Sequence, residues 1–250
     1  MVEFTRAHER LQKSAIEGEQ FKIEHAEIFI TPRAASAGEA DVLIHFHGSS
    51  WLPFQAAAGR QIVVAAVNIG QGGGAYDEAF RDPSALESLL AAIRARIRVR
   101  RVYLSGFSAG YGAVRAILRN HAAVDGILLL DGLHTSYVDD RKVDPVAMQP
   151  FLEFARAAVA GQKQFVFTHS EIFPGTFAST TETSDYLIQQ LGLKRTPVVR
   201  WGPRGMQQIS EVHTGGLTIL GFAGNSAPDH IDQFHSMPEF LQLLFEGGPT

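Results

Sequence analysis

Residues 104–112 read LSGFSAGYG and place Ser108 between Gly106 and Gly110, after the apolar run RVYLSGF and before the helical pattern AGYGAVRAILRNH (109–121). A strand-to-helix junction needs a turn, for which one glycine would be enough. Two of them, spaced G-x-S-x-G, imply a turn so tight that side chains would collide with neighbouring backbone, with the serine at its tip. That geometry lifts a hydroxyl clear of a sheet. It also aims the N–H groups and the positive end of the following helix at the same point, which favours a developing oxyanion. The chemistry is that of a serine nucleophile, and it requires a base and an acid to orient the base. The tail GFAGNSAPDHIDQFHSMPEFLQLLF supplies two candidate bases, His230 and His235. Two acids follow apolar runs: Asp131 closes GILLLD, and Glu171 follows QFVFTHS. Both would stabilise a charged imidazole. Asp131 is taken ahead because it lies directly at a strand end and aspartate is the commoner partner. Asp185 falls inside a helical pattern, and Asp229 lies beside His230 rather than opposite it.

These residues need elements to hold them. The pattern predicts a short helix over 4–17, a strand over 21–30, a strand over 41–48 stopped by Gly48, and a continuously apolar, buried strand over 61–70. A glycine-rich loop is expected over 71–80 and a helix over 84–97, capped by Asp82 or Ser84. The strand 101–107 and helix 109–121 follow. Then come a strand over 126–132, a helix over 145–161, a strand over 164–170 and a helix over 180–192. Late strands at 198–202 and 206–222, the latter a hairpin, precede a final helix over 238–245. Alternation of strand and helix with short connections implies an α/β fold with a mostly parallel, doubly wound sheet flanked by helices. Function in such sheets sits at the carboxyl ends of the strands. The expectation is one domain over 1–250, with 1–20 peripheral.

With HFHGSS (45–50), GFSAG (106–110), acids after the next two strands and a histidine after the last strand, the chain resembles the α/β-hydrolase superfamily from about residue 40 onward. The resemblance implies a serine esterase-like fold and the order nucleophile, acid, histidine. It implies Ser108 as nucleophile and backbone N–H groups of Ser49 and Ala109 as the oxyanion hole. His47 would brace that loop, and Gly48 would let the backbone approach substrate. It favours His230 as base, in a loop several residues before the last helix with Phe234 and Met237 packed beneath, and leaves His235 a capping role. The aspartate usual after a later strand is missing, so Glu171 remains the alternative to Asp131. The short segment 132–144 implies no large lid domain. An open site would be covered by that segment, by 71–80 and by 171–180. Trp51, Tyr76, Phe107, Tyr111 and Tyr137 are candidate lining aromatics, and each serves equally as core packing. His134 and His169 are read as pocket-lining groups that bind substrate or neighbouring loops.

Six histidines (His45, His47, His134, His169, His213 and His230) fall near expected strand ends. His45 and His47, two apart on a strand, are expected to point the same way. No HxxxH or HExxH spacing accompanies them, so no metal and no cofactor is expected. The composition is 45% hydrophobic and 19% charged with a net charge of −4, which allows a sizeable core and does not favour nucleic acid. The basic run Arg94, Arg96, Arg98, Arg100 and Arg101 is read as a solvated edge rather than a phosphate site. There is no cysteine. No apolar run reaches the ~20 residues of a membrane span, and the N-terminus lacks the apolar stretch of a signal peptide. The expectation is a soluble protein with no membrane partner, cleaving a small-molecule carboxylic ester through an acyl-enzyme. An amidase, peptidase or acyltransferase with the same parts, a non-catalytic binding protein on the same fold, and a metal-dependent hydrolase are the competing readings.

Overall fold

A computed structural model describes residues 7–120 and 122–246. The described chain falls into two compact units, residues 12–128 and residues 7–11 with 129–246.

In the first unit the strand order is β1 (Glu19–Ile23), β2 (Ala26–Ile30), β4 (Ile62–Val67), β3 (Glu39–Phe46) and β5 (Arg98–Phe107). Strands β4, β3 and β5 run parallel, and the β1–β2 pair adds an antiparallel edge. Almost every residue of β3 and all of β4 are buried, as the unbroken apolar runs require of interior parallel strands. Helices α1 (Pro32–Ala37), α2 (Trp51–Ala57), α3 (Gly73–Ala79), α4 (Pro83–Arg94) and α5 (Tyr111–Arg119) accompany them. Helix α4 follows its sequence signals closely. Asp82 caps Ser84 N at 2.9 Å, Pro83 opens the helix, and Leu86, Leu89, Leu90 and Ile93 form its buried stripe.

The chain passes to the second unit within β6 (Gly126–Leu130). There β9 (Gln164–His169) pairs in parallel with β12 (Leu217–Phe222), and β11 (Gln207–Thr214) and β10 (Thr196–Trp201) extend the sheet antiparallel. Helices α6 (Pro145–Val159), α7 (Thr180–Gln190), α8 (Ala227–His235) and α9 (Met237–Glu246) complete it. Segment 132–144 holds only the two-residue strands β7 (Tyr137–Val138) and β8 (Lys142–Val143) and a short turn, so no large lid domain is present there. The fold is a mostly parallel sheet flanked by helices.

Four expectations change. Residues 7–17 form no helix, and residues 4–6 of the expected helix lie outside the described residues, as does residue 121 of the helix expected over 109–121. The strand expected over 21–30 is a hairpin, because Glu24 adopts φ 47° and reverses the chain. The glycine-rich stretch 71–80 contains helix α3. Its glycines serve close packing: a Cβ on Gly73 would lie 2.6 Å from the Tyr111 ring, and one on Gly112 would collide with the Gly73 carbonyl. The loop expected to carry His230 is helix α8, started by a Ser226–Asp229 capping box. The arginine run is an ion-paired edge. Arg94 meets Glu87, Arg96 meets Glu19, Arg98 meets Glu39, and Arg100 and Arg101 share Asp41.

Candidate active site

In the first unit, β5 is buried up to Phe107 and then breaks into a single 3-10 turn over Ser108–Gly110 before α5. Ser108 is half-buried and sits at φ 48°, a left-handed conformation that costs an L-residue about 1–2 kcal/mol. The two glycines make this turn possible. A Cβ on Gly106 would lie 2.9 Å from the Gly110 carbonyl carbon, and one on Gly110 would penetrate the carbonyl oxygen of Phe46. The second clash also shows that the turn lies against the end of β3, where the HFHGSS segment leaves the sheet.

That segment is braced by two histidines with different tasks. His45 is 1% exposed on β3. Its Nε2 lies 2.8 Å from the carbonyl of His47 and its Nδ1 lies 3.0 Å from Ser105 Oγ. Burial pushes its pKa down to about 3, so the ring is neutral, donating to the carbonyl and accepting from the serine. His47 lies one residue beyond β3 at φ 72°, with Nδ1 3.1 Å from the Tyr76 hydroxyl. The positive φ at His47 ends the strand alternation, and its ring stacks on Phe107, two residues beyond the Ser105 that His45 meets. Gly48 follows at φ 106°, Ser49 is exposed, and Trp51 opens α2. Ala109 is half-buried in the 3-10 turn. Tyr76 and Phe107 are buried, and Tyr111 packs over Gly73, so these aromatics are packing groups.

In the second unit, Asp131 directly follows β6, at φ 43° and 2% exposure. Its carboxylate accepts four hydrogen bonds: from Ser170 N at 2.8 Å, Ser170 Oγ at 2.7 Å, Thr180 Oγ1 at 2.7 Å and His230 Nδ1 at 2.7 Å. Burial alone would raise its pKa. The hydrogen bond and charge of His230, with the two Ser170 donors, outweigh that and hold it at about 2. Asp131 is thus a fixed anion, and it presents one oxygen to the Nδ1–H of His230. Helix α8 carries that histidine, and Phe234 and Met237 are buried. Glu171 turns elsewhere, accepting Gly224 N at 3.2 Å while its own N–H donates to Gly224 O. Of the two candidate acids, Asp131 is the one that meets His230. Ser170 and Thr180 were missed, because a lone serine and threonine carry no pattern that marks them as carboxylate partners.

The remaining histidines separate. His134 Nδ1 lies 2.9 Å from Ala178 O and its ring meets Phe177 edge-on, with burial lowering its pKa. His169 bonds neighbouring segments. At 2% exposure, its Nε2 accepts from Arg195 Nη1 at 2.9 Å and its Nδ1 faces Ser170 O at 3.2 Å. Burial first, then the Arg195 charge, lower its pKa to about 4. His235 closes α8, two residues before α9 begins. His8, Asp229 and Asp232 bring three donor atoms within 4.8 Å of one another. Their carboxylates already serve Arg10 Nε and the Ser226 cap. No helix among the described residues is long and apolar enough to cross a membrane.

Solved structures place this architecture. It superposes on LpqC, a poly(3-hydroxybutyrate) depolymerase from Bordetella parapertussis, with a TM-score of 0.53 at 15% identity, covering 90% of this chain and 84% of that one. The chain has the α/β-hydrolase fold. The carboxylesterase CesB from Bacillus subtilis aligns with a TM-score of 0.51 at 12% identity, over 94% of this chain and 93% of that one. A cold-adapted esterase from an Arctic intertidal metagenomic library aligns with a TM-score of 0.51 at 14% identity, over 94% and 97%. At such identities the likeness concerns the α/β-hydrolase fold alone. No family model matches the sequence, and no curated protein matches it.

Proposed function

We propose that the chain is a serine hydrolase that cleaves carboxylic esters, with Ser108 as nucleophile, His230 as general base and Asp131 as the acid that orients it. The observation that carries the reading is the 2.7 Å bond from His230 Nδ1 to a buried, four-times-bonded Asp131. A carboxylate held as an anion fixes the tautomer with the proton on Nδ1, leaving Nε2 as the proton acceptor, and stabilises the imidazolium formed in the reaction. The positive φ of Ser108, at the head of a helix, supports the nucleophile role.

In the proposed reaction the Ser108 hydroxyl gives its proton to His230 Nε2 as Oγ attacks the ester carbonyl. The oxyanion is held by the N–H groups of Ser49 and Ala109. Collapse of the intermediate expels the alcohol, which takes the proton from His230. Water, deprotonated by the same histidine, then releases the acid and restores Ser108. His45 supports the oxyanion loop by holding the His47 carbonyl. The fold neighbours named above are esterases and a polyester depolymerase, which favours an ester over an amide as substrate. Short p-nitrophenyl esters and a fluorophosphonate probe test the proposal. Turnover with stoichiometric labelling of Ser108 is expected. A folded protein that neither turns over esters nor takes up the probe would refute it.

A further inference from the structure

We infer that residues 7–11 act as a strap that sets the position of helix α8, and through it His230, with His8 and Arg10 as positioning residues. The inference rests on the reading of His230 as base. Residues 7–11 have no helix or strand of their own, yet they belong to the same compact unit as α8. His8 Nδ1 lies 2.6 Å from Asp232 Oδ2, and Arg10 Nε donates to Asp232 Oδ1 at 3.2 Å. Arg10 Nη2 donates to the carbonyl of Pro228 at 3.3 Å. Asp232 is fully buried, so its charge requires these partners.

The spacing gives the contacts their consequence. Pro228 and Asp232 are four apart on α8 and lie on one side of it. His230, midway between them, is turned by about 200° and lies on the other side. The helix is therefore held across its width, by the strap on one side and by the His230–Asp131 bond on the other. The Ser226–Asp229 box fixes its start. The strap controls both the roll of α8 and its translation along its axis, the two motions that would lengthen the 2.7 Å bond to Asp131.

The test compares the parent with His8→Ala/Arg10→Ala. Two readouts are followed: steady-state kinetics on a p-nitrophenyl ester, and the low-field NMR resonance of the proton between Asp131 and His230, assigned by its loss in Asp131→Asn. The strap predicts kcat lower by roughly 10–100-fold with little change in KM, because misplacing a catalytic group by about 1 Å costs that much. It also predicts a broadened or lost resonance. His8→Asn in the Arg10→Ala background, which restores a donor near the Nδ1 position, should recover part of both. If the double variant does not fold, Arg10→Met/Asp232→Leu replaces the partly buried ion pair with apolar contacts and makes the same comparison. Unchanged kcat and an intact resonance overturn the inference, whatever the change in Tm. If the parent turns over no ester yet the resonance is lost in the variant, the ester reading fails and the strap stands.

Discussion

Ser108 and Asp131 are both non-glycine residues held at positive φ immediately after a strand, 48° and 43°, and they are held there by opposite means. At Ser108 the constraint is steric. A Cβ on Gly106 would meet the Gly110 backbone four residues on, and one on Gly110 would meet the Phe46 carbonyl at the end of β3. At Asp131 the constraint is polar and remote. The carboxylate is pinned by Ser170, Thr180 and His230, which lie 39, 49 and 99 residues further along the chain. A strained turn whose crowding demands glycine at fixed offsets leaves a pattern in the sequence. One built by hydrogen bonds from distant segments does not.

The comparison can be broken at either turn. Ser108→Ala keeps the backbone requirement of an L-residue, so the fold should persist while ester turnover falls by about 10⁴–10⁶. Activity within a few-fold of the parent would remove the nucleophile. Asp131→Asn keeps the shape but offers His230 an amide that can hold the wrong tautomer. A loss of about 10⁴ in kcat is expected, against a few-fold at most for Glu171→Gln. The reverse ranking would transfer the orienting role to Glu171.

Stability sharpens the contrast. Gly110→Ala drives a methyl into the Phe46 carbonyl, and a loss of at least about 1–3 kcal/mol by chemical denaturation is expected. Gly38→Ala, at φ 69° with nothing within 4 Å of the added Cβ, should cost only the backbone term of about 1–2 kcal/mol. A loss at Gly110 smaller than that at Gly38 would mean that the close approach to β3 is relaxed in solution.

The pH dependence of stability differs from a surface effect in its window. His45 and His169 take up a proton in the unfolded chain near 6.5, but only at about 3 and about 4 when folded. The unfolded state therefore binds more protons between those values. Stability should be complete above pH 6.5 and fall as the pH is lowered toward 4, by up to about 1.4 kcal/mol per pH unit for each ring. Asp131 has a lowered pKa as well, so it adds stability above 3.8 that is lost only as the pH falls toward about 2. Denaturant midpoints unchanged between pH 7 and pH 5 would contradict the buried, neutral rings. The smallest effect is expected at the arginine edge. Arg96 and Glu19 are each about half exposed, so Arg96→Ala should cost less than about 1 kcal/mol and be insensitive to phosphate.

Much of this was legible before the structure. The apolar runs of β3, β4, β5 and β6 and the capped, periodic helices α4 and α7 are local features, and each formed close to its expected bounds. So did the G-x-S-x-G turn, because the two positions where crowding forbids a side chain lie at fixed offsets from Ser108, whichever segment they crowd against. The glycines of 72–74 show the limit of such patterns. Locally they signal a loop, and only the approach of Gly112 and Tyr111 shows why a helix needs them. The choice between Asp131 and Glu171, the helix beneath His230, and the commitment of His169 to Arg195 depended on which segments lie side by side. Charge, burial and hydrogen bonding act through space, and two carboxylates at the ends of neighbouring strands look alike until one of them has an imidazole 2.7 Å away.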